Sequence, residues 1–355
     1  MKLIPVVASM LVSSSLWAQD INIKGTISHT VMPTIKSTGK TAVPTKAKEL
    51  KLLKIELSNK AKLALAAKVN DALAHKNQFA MHALLPSAKQ QLGMNAVPVL
   101  DQGEHGTCVT FASTAAVDAA MNKGDYISQL CQLQVGKYLE ENGYGLSGWN
   151  GSFGRNVLMQ MENLGIISKT KEASAGCGAS QYPIKEAIPD EPISLEQYHH
   201  NSEPLKGITW SSILDIMQTF VDRNDTGKTL ANVKKSLDQG DRVTFGTLLL
   251  DLKFGFVGAV GTKNATNDTW VLTPEIARDV YLHNDFAGHE MIITGYDDNA
   301  IAIDDEGRKH QGLLTLRNSW SDQVGDHGNF YMSYDYFKLL VIEAQRIHYE
   351  EQNDE

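Results

Sequence analysis

The chain has 355 residues and a formal net charge of −8, enough length to exceed one average domain and bury a large core. Beyond its first residues no run approaches ~18 uninterrupted apolar positions, which excludes a membrane-spanning helix. The charge is uneven: residues 21–85 hold eleven lysines against three acidic residues for +8, residues 1–20 balance, and residues 86–355 therefore carry −16. A basic segment before an acidic domain implies attraction that steers docking and register. Nucleic acid is a poor partner for that segment, which has no stacking aromatic except Phe79.

In chain order, residues 1–18 read as an export signal: Lys2, then an apolar stretch from Leu3 to Met10 and beyond, ending near Trp17-Ala18. A secreted or periplasmic protein is expected. Residues 21–45 are rich in Thr, Pro and Lys with short alternating pieces, and are expected to form a hairpin or extended arm. Residues 46–75 read as one helix, with Leu50, Leu53, Leu57, Ala61, Ala64 and Val69 on an apolar stripe. Phe111, Ala112, Ala115, Ala116, Ala119 and Ala120 predict a buried helix over 108–122. Further helices are predicted at 154–164, 210–221 and 229–238, and strands at 242–250, 289–296, 313–317 and 329–333. Helices first and strands later make an α+β fold. The tail from Glu350 to Glu355 is acidic and predicted to be disordered.

Cys108 follows the glycine-containing string Gln102-Gly103-Glu104-His105-Gly106-Thr107 and opens the predicted helix. Unpaired N–H groups and the positive dipole end at a helix start favour a thiolate. A free cysteine is more commonly a buried structural residue, so the reading depends on partners. Gly288-His289-Glu290 puts a histidine at the head of an apolar strand, and Arg317-Asn318-Ser319-Trp320 puts an asparagine at the end of another. A nucleophilic thiol needs a base, and the base needs a neighbour that orients it.

Together these motifs resemble the papain-like cysteine peptidases, over roughly residues 85–345. The resemblance implies a two-lobe α+β fold, with a helical lobe carrying Cys108 and a β-barrel-like lobe carrying His289 and Asn318. It implies an oxyanion hole of Gln102 and the Cys108 amide, and a tryptophan, Trp320, that shields the histidine–asparagine hydrogen bond. Gly148-Trp149-Asn150-Gly151-Ser152 looks like the family's substrate-pairing stretch, so Gly151 and Ser152, together with Trp320, are candidate substrate-binding residues, with Ser152 where a second glycine is usual. Departures are visible too. His105 and Trp149 stand where a disulfide pair is usual, and Val109 where an aromatic is common. His289 lies 181 residues after Cys108 and Asn318 a further 29, against ~130–150 from Cys to both in the family. Extra material is therefore expected within 169–285.

By the same resemblance, an N-terminal piece covers the cleft and the mature chain starts about two dozen residues before the nucleophile, at Leu84-Leu85-Pro86. Residues 21–85 are then a propeptide acting as the chain's own inhibitor, and 86–349 the catalytic domain. Cys131 and Cys177 remain as an expected disulfide, favoured by an oxidising compartment and similar in context to a second bridge of the family; two free thiols are the alternative. No cofactor or metal is expected. The expected activity is hydrolysis of peptide bonds in a protein or peptide substrate. Amide transfer or deamidation on the same residues, or a silent binding protein, are the rivals.

Other clusters carry less. Asp297-Asp298-Asn299 and Asp304-Asp305-Glu306-Gly307 lack the alternate-ligand spacing of a calcium loop and read as a solvated turn. His289-Glu290 has Ile293 where a zinc-binding helix needs its second histidine. His199-His200 read as surface, and Ser113 and Ser319 lack a glycine elbow.

Overall fold

A computed structural model describes residues 20–33, 47–74, 88–179, 181–220, 226–250, 257–265, 267–282 and 285–350. The expected export signal, the Leu84-Leu85-Pro86 boundary and residues 351–355 lie outside them. The elements are β1 (Ile21–Val31), β2 (Lys48–Leu57), α1 (Asn59–Ala74), β3 (Lys89–Gln91), α2 (Cys108–Met121), α3 (Gln129–Glu141), α4 (Gly154–Leu164), α5 (Lys169–Ala175), α6 (Leu195–Asn201) and β4 (Ile208–Leu214). There follow α7 (Thr226–Asp238), β5 (Arg242–Leu249), β6 (Gly261–Thr262), β7 (Thr269–Trp270), α8 (Pro274–Leu282), β8 (Asp285–Asp304), β9 (Lys309–Arg317), β10 (Asn329–Ser333), α9 (Tyr334–Leu340) and β11 (Val341–Tyr349). The fold is α+β, with helices α2–α4 ahead of most of the sheet. Among the described residues no helix is long and apolar enough to cross a membrane.

β8 is the organising strand. It pairs antiparallel with β5 along one stretch and with β9 along another, while β2 pairs with its first four residues. From β8 the pairings run through β6, β7, β10 and β9 and return to β8. On the other side β5 leads to β11 and β4. The helix α2 packs against β8, β5 and β11. Every α2 side chain from Cys108 to Met121 is buried except that of Ala120. It is therefore a helix buried all round rather than the one-faced stripe its alanines suggest.

Two sequence expectations fail in the N-terminal and middle parts. Residues 48–57 are a strand, and only 59–74 are helical. Leu53, Ile55 and Leu57 alternate with Lys54 and Glu56, a period of two that the wider helical stripe hid. The hairpin partner β1 and the open edge of β8 supply the ladder that decides for strand. Helix starts only after Ser58, whose Oγ accepts the N–H of Ala61 at 3.0 Å. Likewise the described part of the predicted helix 210–221, residues 210–220, is not helical. Residues 208–214 pair with β11 as β4, and Asp215 ends the strand by accepting the N–H of Met217 at 2.8 Å in a turn.

Cys131 and Cys177 are joined in a disulfide. Cys131 lies in the first turn of α3, where its N–H is capped by Ser128 Oγ at 2.9 Å. Closing a loop of ~45 residues constrains the unfolded chain by roughly 3–4 kcal/mol. The double variant Cys131→Ala, Cys177→Ala should therefore melt several degrees below the parent in calorimetry. An unchanged midpoint would remove the bridge from the stability argument.

The acidic turns are internally satisfied. Asp298 pairs with Lys234 at 2.7 Å and accepts from Tyr334 Oη at 2.7 Å, and Asp304 accepts from Arg308 Nε at 2.6 Å. Both carboxyls are held below the usual range by these donors, against the opposing effect of burial. Among the described residues no group of three or more His, Cys, Asp or Glu is placed to hold a metal ion.

Candidate active site

Cys108 is the first residue of α2, after a cap at Thr107 whose carbonyl accepts the Phe111 N–H at 3.1 Å. The backbone N–H of Glu290, the residue after His289, lies near enough to its sulfur to favour the thiolate. Strand alternation turns His289 and Glu290 to opposite faces of β8. His289 Nε2 lies 2.8 Å from Asn318 Oδ1, and that same oxygen accepts the Ser319 N–H at 2.7 Å. An oxygen that already accepts makes Nε2 the protonated ring nitrogen. The other nitrogen, Nδ1, is buried with no partner, its lone pair free to take a proton.

The indole of Trp320 stacks on the His289 ring with centroids 4.5 Å apart and planes 25° apart. Trp270 and Phe330 meet the indole edge-on at 6.4 and 5.5 Å. Neither was found in the sequence. Both sit in short strands, and only the pairing of β7 with β10 brings them beside β9 and Trp320.

Gln102 is fully buried and its side chain is fixed from both ends. Its Oε1 accepts from Ser319 Oγ at 2.7 Å, and its Nε2 donates to His105 O at 2.9 Å and to Lys51 O at 3.3 Å. Gln102, His289, Asn318, Ser319 and Trp320 are thus linked across a loop and two strands, whereas no hydrogen bond joins Cys108 to His289, whose Nδ1 is unpartnered.

His105 and Trp149, at the places of the absent disulfide, meet edge to face at 5.5 Å. Tyr182 completes the contact, stacking on Trp149 at 5.8 Å and meeting Phe111 and His105 edge-on. Its hydroxyl donates to Gln102 O at 2.7 Å and lies 2.9 Å from Thr107 Oγ1. One phenol therefore bridges both ends of the loop between Gln102 and Cys108. The same strap brings Ile184 against Gly103, where a Cβ would lie 2.0 Å from the Ile184 carbonyl oxygen, and Gly103 has φ +60°. Only glycine fits there. Nothing in the sequence marked Tyr182, which lies 74 residues beyond Cys108.

The β1–β2 hairpin lies across this cluster. Leu53 pairs opposite Gly288, next to His289. A Cβ at Gly151 would lie 2.8 Å from Leu53 Cδ2 and 2.9 Å from Ile23 Cγ2, and one at Gly106 2.5 Å from Thr26 Cγ2. Gly151 thus faces the hairpin, while Ser152 is buried beside it. At the other end Lys48 Nζ bonds Asp101 Oδ1 at 2.6 Å and the Trp320 carbonyl at 3.1 Å.

This cover reverses the electrostatics expected of a helix start. Burial pushes the Cys108 thiol up to about 12, outweighing the Glu290 N–H that stabilises a thiolate. Burial also takes His289 down to about 4, against the opposing help of Asn318. Thiol and imidazole are both neutral here. The helix-end dipole is worth at most ~2 kcal/mol, and desolvation of a fully buried ion exceeds it.

No family model matches the chain, and no curated protein matches it. Similar solved structures include xylellain, a cysteine protease from Xylella fastidiosa, at 19% identity and TM-score 0.44, covering 76% of this chain and 88% of that one. The ragweed pollen cysteine protease Amb a 11 in its proform is similar at 14% identity and TM-score 0.46, covering 77% and 70%. The clostridial cysteine protease Cwp84 after propeptide cleavage is similar at 15% identity and TM-score 0.47, covering 72% and 56%.

Proposed function

We propose that the chain is an exported cysteine endopeptidase held latent by its own N-terminal segment. The observation that carries this is the His289–Asn318 hydrogen bond under the Trp320 indole, with His289 Nδ1 left unpartnered on the strand that contacts the Cys108 sulfur. Once the cover leaves, Nδ1 takes the thiol proton and the thiolate attacks the scissile carbonyl. Gln102 Nε2 and the Cys108 N–H hold the oxyanion, and the imidazolium Nδ1–H protonates the leaving amine. The acyl-thioester is then hydrolysed by water that His289 deprotonates.

The hairpin's path supports latency. Its Lys48 end lies at Trp320, beside the histidine that delivers the leaving group's proton, and its Leu53 end lies at Gly151. A substrate running from acyl side to amine side would pass in the opposite direction. The Lys51 carbonyl reaches Gln102, but the chain is reversed relative to a cleavable peptide, so its amide nitrogen is on the wrong side for proton delivery. Residues 21–85 act in this reading as propeptide and inhibitor.

Incubating full-length protein with reductant and sequencing the N-terminus of the product tests the reading. A new terminus between about residues 76 and 96, accompanied by peptide hydrolysis, is expected from the two-dozen-residue spacing before an activated nucleophile. Hydrolysis by an uncut chain would sink the propeptide, and ammonia release or amine incorporation without backbone cleavage would favour amide transfer. Gln102→Ala removes one oxyanion donor and should lower kcat by about 10²–10³-fold with KM little changed. Tyr182→Phe keeps the ring stack and removes the hydroxyl bridge, so kcat should fall about tenfold. Its labelling by iodoacetamide, which needs no oxyanion hole, should be unchanged. Equal losses in both would assign Tyr182 to general folding instead.

A further inference from the structure

Two glutamates outside the proposed catalytic group converge beside it. Gly246 on β5 pairs with Glu290 of β8 on one side and with Glu343 of β11 on the other. A Cβ at Gly246 would lie 2.8 Å from Glu290 Oε2 and 3.1 Å from Glu343 Cγ. One at Gly154, the first residue of α4, would lie 3.2 Å from Glu290 Oε1 and 3.6 Å from Glu343 Oε2. The two carboxyl groups therefore meet in space that two glycines leave open.

Both residues are 2% exposed. Glu343 accepts the Gly154 N–H at 3.1 Å and Gln345 Nε2 at 3.4 Å. Glu290 Oε1 has no partner. Among the described residues no basic side chain pairs with either. Desolvation, and for Glu290 the facing Glu343, hold both carboxyls well above their usual range. Burying two acids without a cation is costly, and an unsatisfied buried oxygen adds to the cost.

The hairpin shows how this space is reached. Leu53 is paired opposite Gly288, so its side chain shares a sheet face with Gly288 and with Glu290 two residues on. It also lies against Gly151. Gly288 is covered chiefly by Ile55, whose Cγ1 would lie 2.6 Å from a Cβ there, so the hairpin lays aliphatic side chains, Leu53 and Ile55, over Gly151 and Gly288 and offers no charge. This end of the hairpin is on the acyl side, away from Trp320.

We propose that Glu290 and Glu343 form the acidic floor of a substrate pocket that takes a lysine or arginine side chain from the acyl side of the cleaved bond. The proposal rests on the peptidase reading for its role and on the two carboxyls for its chemistry. A cationic side chain entering past Gly151 and Gly288 gives Glu290 the partner it lacks. Leu53 and Ile55 of the latent chain then act as a blunt, uncharged plug at the mouth of a site built for charge.

Two measurements separate the pocket from the peptidase reading. In the first, self-processed protein is given peptides with arginine or norleucine at each of three positions before the scissile bond. At one position kcat/KM should favour arginine by about tenfold or more, and Glu290→Gln should lower that ratio about tenfold. A ratio at or below one, or one unmoved by the substitution, overturns the pocket. Absence of all hydrolysis would instead reject the peptidase reading, and the second measurement needs no activity. In full-length protein carrying Cys108→Ala, Leu53→Lys places a cation where the plug sits. Its melting point at pH 8, relative to Leu53, should be at least about 3 °C more favourable with Glu290 present than with Glu290→Gln. Leu53→Met serves as the uncharged control. An equal loss in both backgrounds overturns the pocket whatever the chemistry at Cys108.

Discussion

Cys108→Ala is expected to leave the full-length chain folded, unprocessed and without peptide hydrolysis, a loss of about 10⁴–10⁶-fold in kcat. The substitution deletes the attacking atom and nothing else of size. Asn318 still holds His289, Ser319 still holds Gln102, and the hairpin still covers them. What remains is an oxyanion hole and a binding cleft with no nucleophile. His289→Ala should cost nearly as much, because the thiol then has no base and the leaving amine no proton donor. The two losses should not add, since each alone removes the same step. Intact mass before and after reductant, with a fluorogenic peptide as second readout, checks all three proteins. A double variant slower than either single by their full product would mean that thiol and imidazole act separately, against the mechanism.

Full-length protein should alkylate at Cys108 very slowly at neutral pH. A thiol at about 12 carries roughly a thousandfold less thiolate at pH 7.4 than an ordinary cysteine. Only the thiolate attacks, so the rate should climb about tenfold per pH unit well beyond the point where a free cysteine levels off. The sign follows from burial, which raises the thiol and lowers His289, so no ion pair forms in the covered state. Removing the cover should invert this. Leu53→Asp buries a charge against Gly151 among aliphatic side chains, and should expel the hairpin. Its Cys108 should label at least about 100-fold faster at pH 7.4. Because the other two cysteines are bridged, iodoacetamide reports on Cys108 alone. A full-length chain that labels at neutral pH as fast as free cysteine would remove the latency argument.

Much of this site was legible in the chain because its chemistry is local. Gln102 and Cys108 share one loop, His289 heads an apolar run, and Asn318, Ser319 and Trp320 are contiguous. In the structure His289 is held on Asn318 under Trp320 and Gln102 on Ser319, while His289 Nδ1 has no hydrogen-bond partner. The helices at 108–121 and 154–164 and the strands β5, β9 and β10 were legible for the same reason: each has its own periodicity. Residues 48–57 and 210–214 read as helical because their apolar spacing fits two periods, and a neighbouring strand chooses between them.

Sequence by itself determined which residues could carry thiol chemistry and those helices and strands whose own periodicity is unambiguous, since both depend on short-range spacing. Tertiary structure alone decided their state. Whether Cys108 is a thiolate depends on what lies over it, and the cover comes from a strand more than fifty residues away. The strap of Tyr182 across the oxyanion loop and the meeting of Glu290 with Glu343 across Gly246 are likewise set by chain segments far apart in sequence. Desolvation and carboxyl proximity are properties of the packed interior, and no local pattern of residues encodes them.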